Sequence, residues 1–264
     1  MLSAIRATEV LFAWSLTIQT LEYLRMGKYT AEAGVWSWPL QRDDIPNASV
    51  RVVLDVLFKP RVHQWHLLLR LLAAAVLAVQ GASLPLIGFL FAGNLLILIR
   101  WRGAFNGGSD FMTLVVLTGL LISQVVGAFG HVQLGWQAGF WYIAIQSITS
   151  YFMSGAVKLL RREWRNGSAM TIFLNGAIYG PLSATHPLRN KWLAMLGSWG
   201  FIVWEILFPL SLIDPRLAAL LCAVAALFHL LVFWCFGLNR FFWAWLCSFP
   251  AIIWCSAQFS ARFI

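Results

Sequence analysis

From Leu217 to Phe236 the chain reads LAALLCAVAALFHLLVFWCF, bounded by Arg216 and Gly237. The run carries no charge, and His229 is its one strongly polar side chain. At about 1.5 Å rise per residue such a stretch covers roughly the 30 Å of a bilayer's hydrocarbon core. A strand of a membrane barrel would instead alternate apolar and polar residues over about ten positions. The run is solid, so it reads as a helix crossing a membrane.

Seven further runs extend this reading. Spans are expected at roughly 8–25, 64–82, 84–100, 111–130, 137–160, 192–213, 216–237 and 240–259. The first is the most diluted, by Glu9, Gln19 and Glu22. Composition agrees: of 264 residues 60% are hydrophobic and only 11% charged, against about 25% charged in soluble domains. Mean hydropathy is +0.75. The expected fold class is therefore an all-α integral membrane protein, a polytopic bundle of about eight transmembrane helices forming a single domain over residues 1–264. No cleavable leader is expected, because no small-residue cleavage site follows a clean apolar stretch behind Arg6.

The net charge of +9 is topological rather than a sign of nucleic acid. Fifteen lysines and arginines fall on the connections 1–2, 3–4, 5–6 and 7–8 with their span ends, against Arg6, Arg216 and Arg262 opposite. The positive side is cytoplasmic, which places both termini outside if the first span crosses. Two longer connections, about 26–63 and 161–191, fall on that side. Within the first, Val50–Phe58 reads as a short amphipathic helix, and within the second, Ser168–Ile178 can also lie at the interface.

Ionisable residues inside spans are costly and therefore functional candidates. Glu205 lies deep in the sixth span and His229 deep in the seventh. A hydrogen-bonded network joining neighbouring helices would explain them equally well. Lys158 ends the fifth span, where it can also snorkel to the headgroups. Ser147, Tyr151, Ser154 and Lys158 follow at helical spacing on one face, with Gly155 adjoining. That stripe can line a cavity or form a helix seam. The 3–4 connection contains the turn Asn106–Gly107–Gly108, and Ser109 or Asp110 can cap the helix after it. Asp110 is also placed to pair with Lys158.

Some chemistry is excluded. There is no nucleophile elbow, phosphate-binding loop or dinucleotide fingerprint. The four cysteines (Cys222, Cys235, Cys247, Cys255) show no metal-ligand spacing and read as buried thiols; no metal site is expected. Twenty phenylalanines and fifteen tryptophans can furnish an aromatic pocket or face lipid.

The stretch Tyr151–Phe152–Met153–Ser154–Gly155–Ala156–Val157–Lys158–Leu159, followed by Trp164, Asn166–Gly167 and Ala169–Met170, resembles the signature of the HTTM family. This is the horizontally transferred transmembrane domain related to vitamin K-dependent gamma-carboxylase. Asn106–Gly107–Gly108 with Asp110, Glu205 with Pro209, and His229 with Leu238–Asn239 and Phe241–Phe242 are similar to other family segments in the same order. The resemblance covers about residues 64–250. It implies a carboxylase-like or quinol-dependent membrane enzyme, a lyase or oxidoreductase, with Lys158 as base and His229, Glu205 and Asp110 as supporting catalytic residues. It further implies a quinone or quinol such as vitamin K as cofactor, beside Tyr151, Ser154, Gly155 and Asn106, and a bacterial inner membrane as the site of action. The chain differs from the carboxylase in having Gly108 where a turn histidine is found, and in a Lys158–Trp164 spacing one residue longer.

Two other functions compete. One is a non-catalytic membrane partner in maturation, export or immunity for a peptide or partner enzyme. The other is a transporter, ranked last because no broken helix or inverted repeat is evident. In every case the bilayer is a partner, a lipid-soluble small molecule or a membrane or peptide partner is expected, and nucleic acid is not.

Overall fold

The computed structural model describes residues 1–31, 33–101 and 107–263, with only the backbone of Gly107 and Phe263. All regular structure among these residues is helical. Two compact units form, Leu2–Gly139 and Phe140–Ile264.

The first unit contains α1 (Leu2–Arg25), α2 (Gly27–Thr30), α3 (Trp38–Gln41), α4 (Ala48–Leu57), α5 (Pro60–Gln80), α6 (Leu84–Trp101) and α7 (Gly107–Ala128). The helix α8 (Val132–Leu160) starts here and continues into the second unit. There it is followed by α9 (Arg162–Arg165), α10 (Ser168–Asn175), α11 (Lys191–Leu207), α12 (Pro215–Phe236), α13 (Asn239–Leu246) and α14 (Phe249–Phe263). The amphipathic helix expected at Val50–Phe58 appears as α4, and α10 falls within the Ser168–Ile178 segment.

Among the described residues, six helical stretches are long and apolar enough to cross a membrane: Pro60–Gln80, Leu84–Trp101, Gly108–Ala128, Lys191–Leu212, Pro215–Phe236 and Asn239–Arg262. The chain is thus a multi-pass integral membrane protein. Its burial pattern is the reverse of a soluble domain's. Arg70, Asn94, Arg100, Glu205 and His229 are buried, while Trp65, Leu72, Leu220, Leu227 and Trp234 face outward.

Local chemistry sets the helix ends. At α12, Asp214 accepts hydrogen bonds from the backbone N–H groups of Arg216 (2.7 Å) and Leu217 (3.1 Å), Pro215 occupies the first turn, and Gly237 closes the helix at φ +68°. Prolines break two of the expected spans. Pro250 would set its ring against the Leu246 carbonyl, so the run expected at 240–259 divides into α13 and α14. Pro209 does the same to the Glu205 carbonyl, and α11 gives way to a 3₁₀ turn over Phe208–Leu212.

In the first unit α1 packs along α5, and α6 against both α5 and α7. Tyr23, Leu67, Ile97 and Trp101 form one buried apolar cluster, and Trp38, Leu54 and Phe58 another. The second is clasped by Asp55, which accepts from Trp38 Nε1 at 2.7 Å and from Arg42 Nε and Nη2 at 2.8 and 2.9 Å. These bonds, from Arg42 first and then Trp38, hold the Asp55 carboxyl down at about 2, and Asp55 in turn raises the Arg42 guanidinium. Cys222, Cys247 and Cys255 are buried thiols as expected, whereas Cys235 is only half-buried.

Candidate functional site

The polar stripe on α8 faces other helices of the second unit. Ser147 only returns its hydroxyl to the Ile143 carbonyl, at 2.8 Å. One turn on, Tyr151 Oη and His229 Nε2 are hydrogen bonded at 2.7 Å, tying α8 to α12. A further turn on, Ser154 Oγ donates to Glu205 Oε1 at 3.2 Å. At the helix end Lys158 Nζ donates to Ser154 Oγ (2.6 Å), Glu205 Oε1 (2.7 Å) and Glu205 Oε2 (2.6 Å). An ammonium has three N–H groups, and here each has an acceptor. The Lys158 side chain is 14% exposed and that of Glu205 2%, so the pair is largely removed from solvent. The Nζ also lies 5.2 Å from the centroid of the Trp164 ring.

Two features of the sequence bring α11 this close. Gly155 has no side chain on the facing surface, and a Cβ there would come within 2.8 Å of Glu205 Cβ and the Ile206 backbone nitrogen. Pro209 ends the regular helix one turn beyond Glu205. On the other flank Ser198 Oγ donates to the Trp164 carbonyl and Trp199 Nε1 to that of Arg165, at 3.0 Å for the latter. The Trp164–Gly167 segment is thereby fixed to α11.

The Tyr151–His229 pair is enclosed by aromatic rings. Tyr151 stacks on Phe208 at 4.1 Å and meets Trp204 and Trp245 at 5.4 and 4.7 Å between centroids. His229 stacks on Trp245 at 5.0 Å and meets Phe241 edge-on at 4.9 Å. Three nitrogens of this shell, His229 Nδ1, Trp204 Nε1 and Trp245 Nε1, are buried with no hydrogen-bond partner among the described residues.

Asp110 belongs to another cluster, in the first unit. The helix α7 begins at Gly107, so Asp110 lies inside the first turn rather than at the cap. Its Oδ1 accepts from Gln19 Nε2 at 3.2 Å and Tyr23 Oη at 3.4 Å. Gln19 Oε1 accepts from Arg70 Nη2 at 2.5 Å, and the Arg70 fork also reaches Thr20 Oγ1 (3.1 Å) and Asn94 Oδ1 (3.2 Å). Glu9 caps the turn after α5: its Oε1 accepts from Ala82 N–H at 2.7 Å, while Arg6 holds Oε2, also at 2.7 Å.

The structure therefore joins Lys158, Ser154, Gly155 and Glu205 in one contact, and Tyr151 with His229 in the next. The carboxylate on Lys158 is that of Glu205; Asp110 takes Gln19 and Tyr23. Asn106, expected beside a cofactor, lies outside the described residues. Arg70, Gln19 and the particular rings of the shell were not among the expected site residues. An arginine inside an apolar run was a readable signal for the first, whereas the shell combines residues from four separate segments.

Among the described residues no group of three or more His, Cys, Asp or Glu could hold a metal ion. Comparison with protein-family models, with curated proteins and with solved structures finds no match.

Proposed function

We propose that this chain is an HTTM-like membrane enzyme, carboxylase-like or quinol-dependent, in which Lys158 removes a proton from a lipid-soluble substrate. The observation that carries this reading is the meeting of Tyr151, Ser154, Lys158, Glu205 and His229 across α8, α11 and α12. All five come from segments that resemble the family. A buried ion pair is a poor stabiliser compared with apolar packing, so keeping one inside a membrane helix bundle favours a chemical role.

Lys158 and Glu205 can exchange one proton between Nζ and a carboxylate oxygen, which leaves a neutral amine. Its lone pair then accepts a proton from a substrate hydroxyl, and the re-formed ammonium stabilises the resulting oxyanion. Ser154 orients the amine. Tyr151 and His229 hold or relay a proton one turn deeper. The unpartnered His229 Nδ1 and indole N–H groups of Trp204 and Trp245 fit an aromatic ring bearing oxygen. A quinol is such a group, and when bound it would supply the acidic hydroxyl.

Eight crossings are part of the proposal: the six above together with α1 and α8. At about 1.5 Å per residue, the 24 residues of α1 and the 29 of α8 are long enough. Their outward faces are apolar, with Val10, Trp14 and Leu21 on one and Ile145, Met153 and Val157 on the other. The lysine-rich side is taken as cytoplasmic, in a bacterial inner membrane.

The test is mass spectrometry of lipid-soluble compounds that co-purify with the wild type and with the Lys158→Ala, Tyr151→Phe and His229→Leu variants. A quinone bound by the wild type and lost from the variants is expected. Protein that is folded but empty in every case would overturn the enzyme reading.

One observation favours a second reading. Every N–H of Lys158 is already engaged, as in a purely structural clasp. A non-catalytic partner in maturation, export or immunity would then tolerate loss of the pair and crosslink to a neighbour in native membranes.

A further inference from the structure

At the end of α1 a second feature stands apart from the Lys158 cluster. Arg25 is the last residue of α1, Lys28 lies in α2, and the chain then closes a loop in which Trp36 N–H donates to the Tyr29 carbonyl at 2.8 Å. This leaves an open cleft of about 490 Å³ lined by Arg25, Met26, Lys28, Tyr29, Val35 and Trp36. Ligand sites commonly measure roughly 300–1,000 Å³.

The lining is cationic and aromatic. Arg25 and Lys28 are exposed and form no ion pair among the described residues. Lys28 Nζ lies 5.0 Å from the centroid of the Tyr29 ring. Trp36 rests 6.5 Å from Trp101, which itself stacks on Tyr23 at 5.3 Å, so one wall is backed by the buried core. An arginine presents a planar fork matched to phosphate oxygens, and a lysine adds a compact charge beside it.

The surface leading to the cleft is apolar. Trp14 and Leu21 are exposed on α1, and steps of seven and four residues place both on the face that ends at Arg25. The helix α1 packs along α5, which is long and apolar enough to cross a membrane; with α1 crossing beside it, as in the proposed function on which this step rests, that outward face meets lipid. Tyrosine and tryptophan beside a cationic cleft suit the headgroup level of a bilayer.

We propose that this cleft binds a phosphate group, seated between Arg25 and Lys28, with any attached acyl chain lying along Leu21 and Trp14. The phosphate belongs to an anionic phospholipid or to a free phosphate anion, and the experiment separates the two. Native mass spectrometry is run on the full chain in detergent with phosphatidylglycerol, and separately with inorganic phosphate. Wild type is compared with Arg25→Gln/Lys28→Gln and with Trp14→Ala/Leu21→Ala. Because both cations are exposed, the first variant is expected to keep its circular dichroism and melting temperature.

For a lipid, phosphatidylglycerol binding falls about tenfold in both variants, and millimolar phosphate competes weakly. For a free anion, inorganic phosphate binds, the charge variant loses it, and the Trp14/Leu21 variant keeps it. Equal binding by wild type and the folded charge variant, or no binding of either probe by wild type, overturns the proposal.

Discussion

Lys158 Nζ lies 2.6 Å from one carboxylate oxygen of Glu205 and 2.7 Å from the other, so a lysine at the end of α8 is held by a carboxylate of α11. Removing one partner leaves the other charge buried and uncompensated. Lys158→Met or Glu205→Leu is each expected to cost about 3–5 kcal/mol. The double variant should recover most of that loss. Thermal unfolding of the four proteins in detergent checks the cycle; additive losses would mean that the contact contributes nothing.

Gly155 admits the Glu205–Ile206 backbone to the surface of α8. Gly155→Ala should force the helices apart and lower stability by about 1–3 kcal/mol. A second effect separates spacing from simple strain: a cysteine–cysteine crosslink engineered between α8 and α11 should form more slowly in the variant. An unchanged crosslinking rate and melting temperature would contradict the packing described.

Arg70 spreads its guanidinium over Thr20, Gln19 and Asn94 from α1 and α6. A lysine keeps the charge but not the fork. Arg70→Lys is therefore expected to lose about 1–3 kcal/mol for each charge-assisted bond it fails to make. Retention of wild-type stability in a detergent melt would show that charge, not geometry, matters there.

The Asp55 clasp titrates in acid. Its folded carboxyl sits at about 2, below the ordinary value of 3.8. The stabilisation is therefore complete above about 4 and disappears as the pH falls through 2. Limited proteolysis of the segment between α2 and α5 should stay slow down to about pH 4 and accelerate below it. Asp55→Asn should show fast cleavage already at neutral pH, and a flat profile in both proteins would remove Asp55 from the clasp.

Much of the architecture was legible one residue at a time. A helix in lipid must satisfy its backbone internally and cover itself with apolar side chains, so runs such as Leu217–Phe236 declared themselves. So did Lys158, Glu205 and His229, because an ionisable group stands out against such a background. The breaks were less visible: Pro209 and Pro250 were present in the expected spans, but their effect depends on the carbonyl four residues earlier.

Partner choice was not legible. Glu205 could have bonded His229, and Lys158 could have taken Asp110; helical periodicity gives the face a residue lies on but not the helix that faces it. The sequence by itself determined that this chain is helical, multi-pass and membrane-bound, since hydrophobic burial in a bilayer depends on composition along the chain. Only the tertiary structure decided that Lys158 meets Glu205 and Tyr151 meets His229. Hydrogen bonds act over about 3 Å, and such distances between α8, α11 and α12 exist only once those helices have packed.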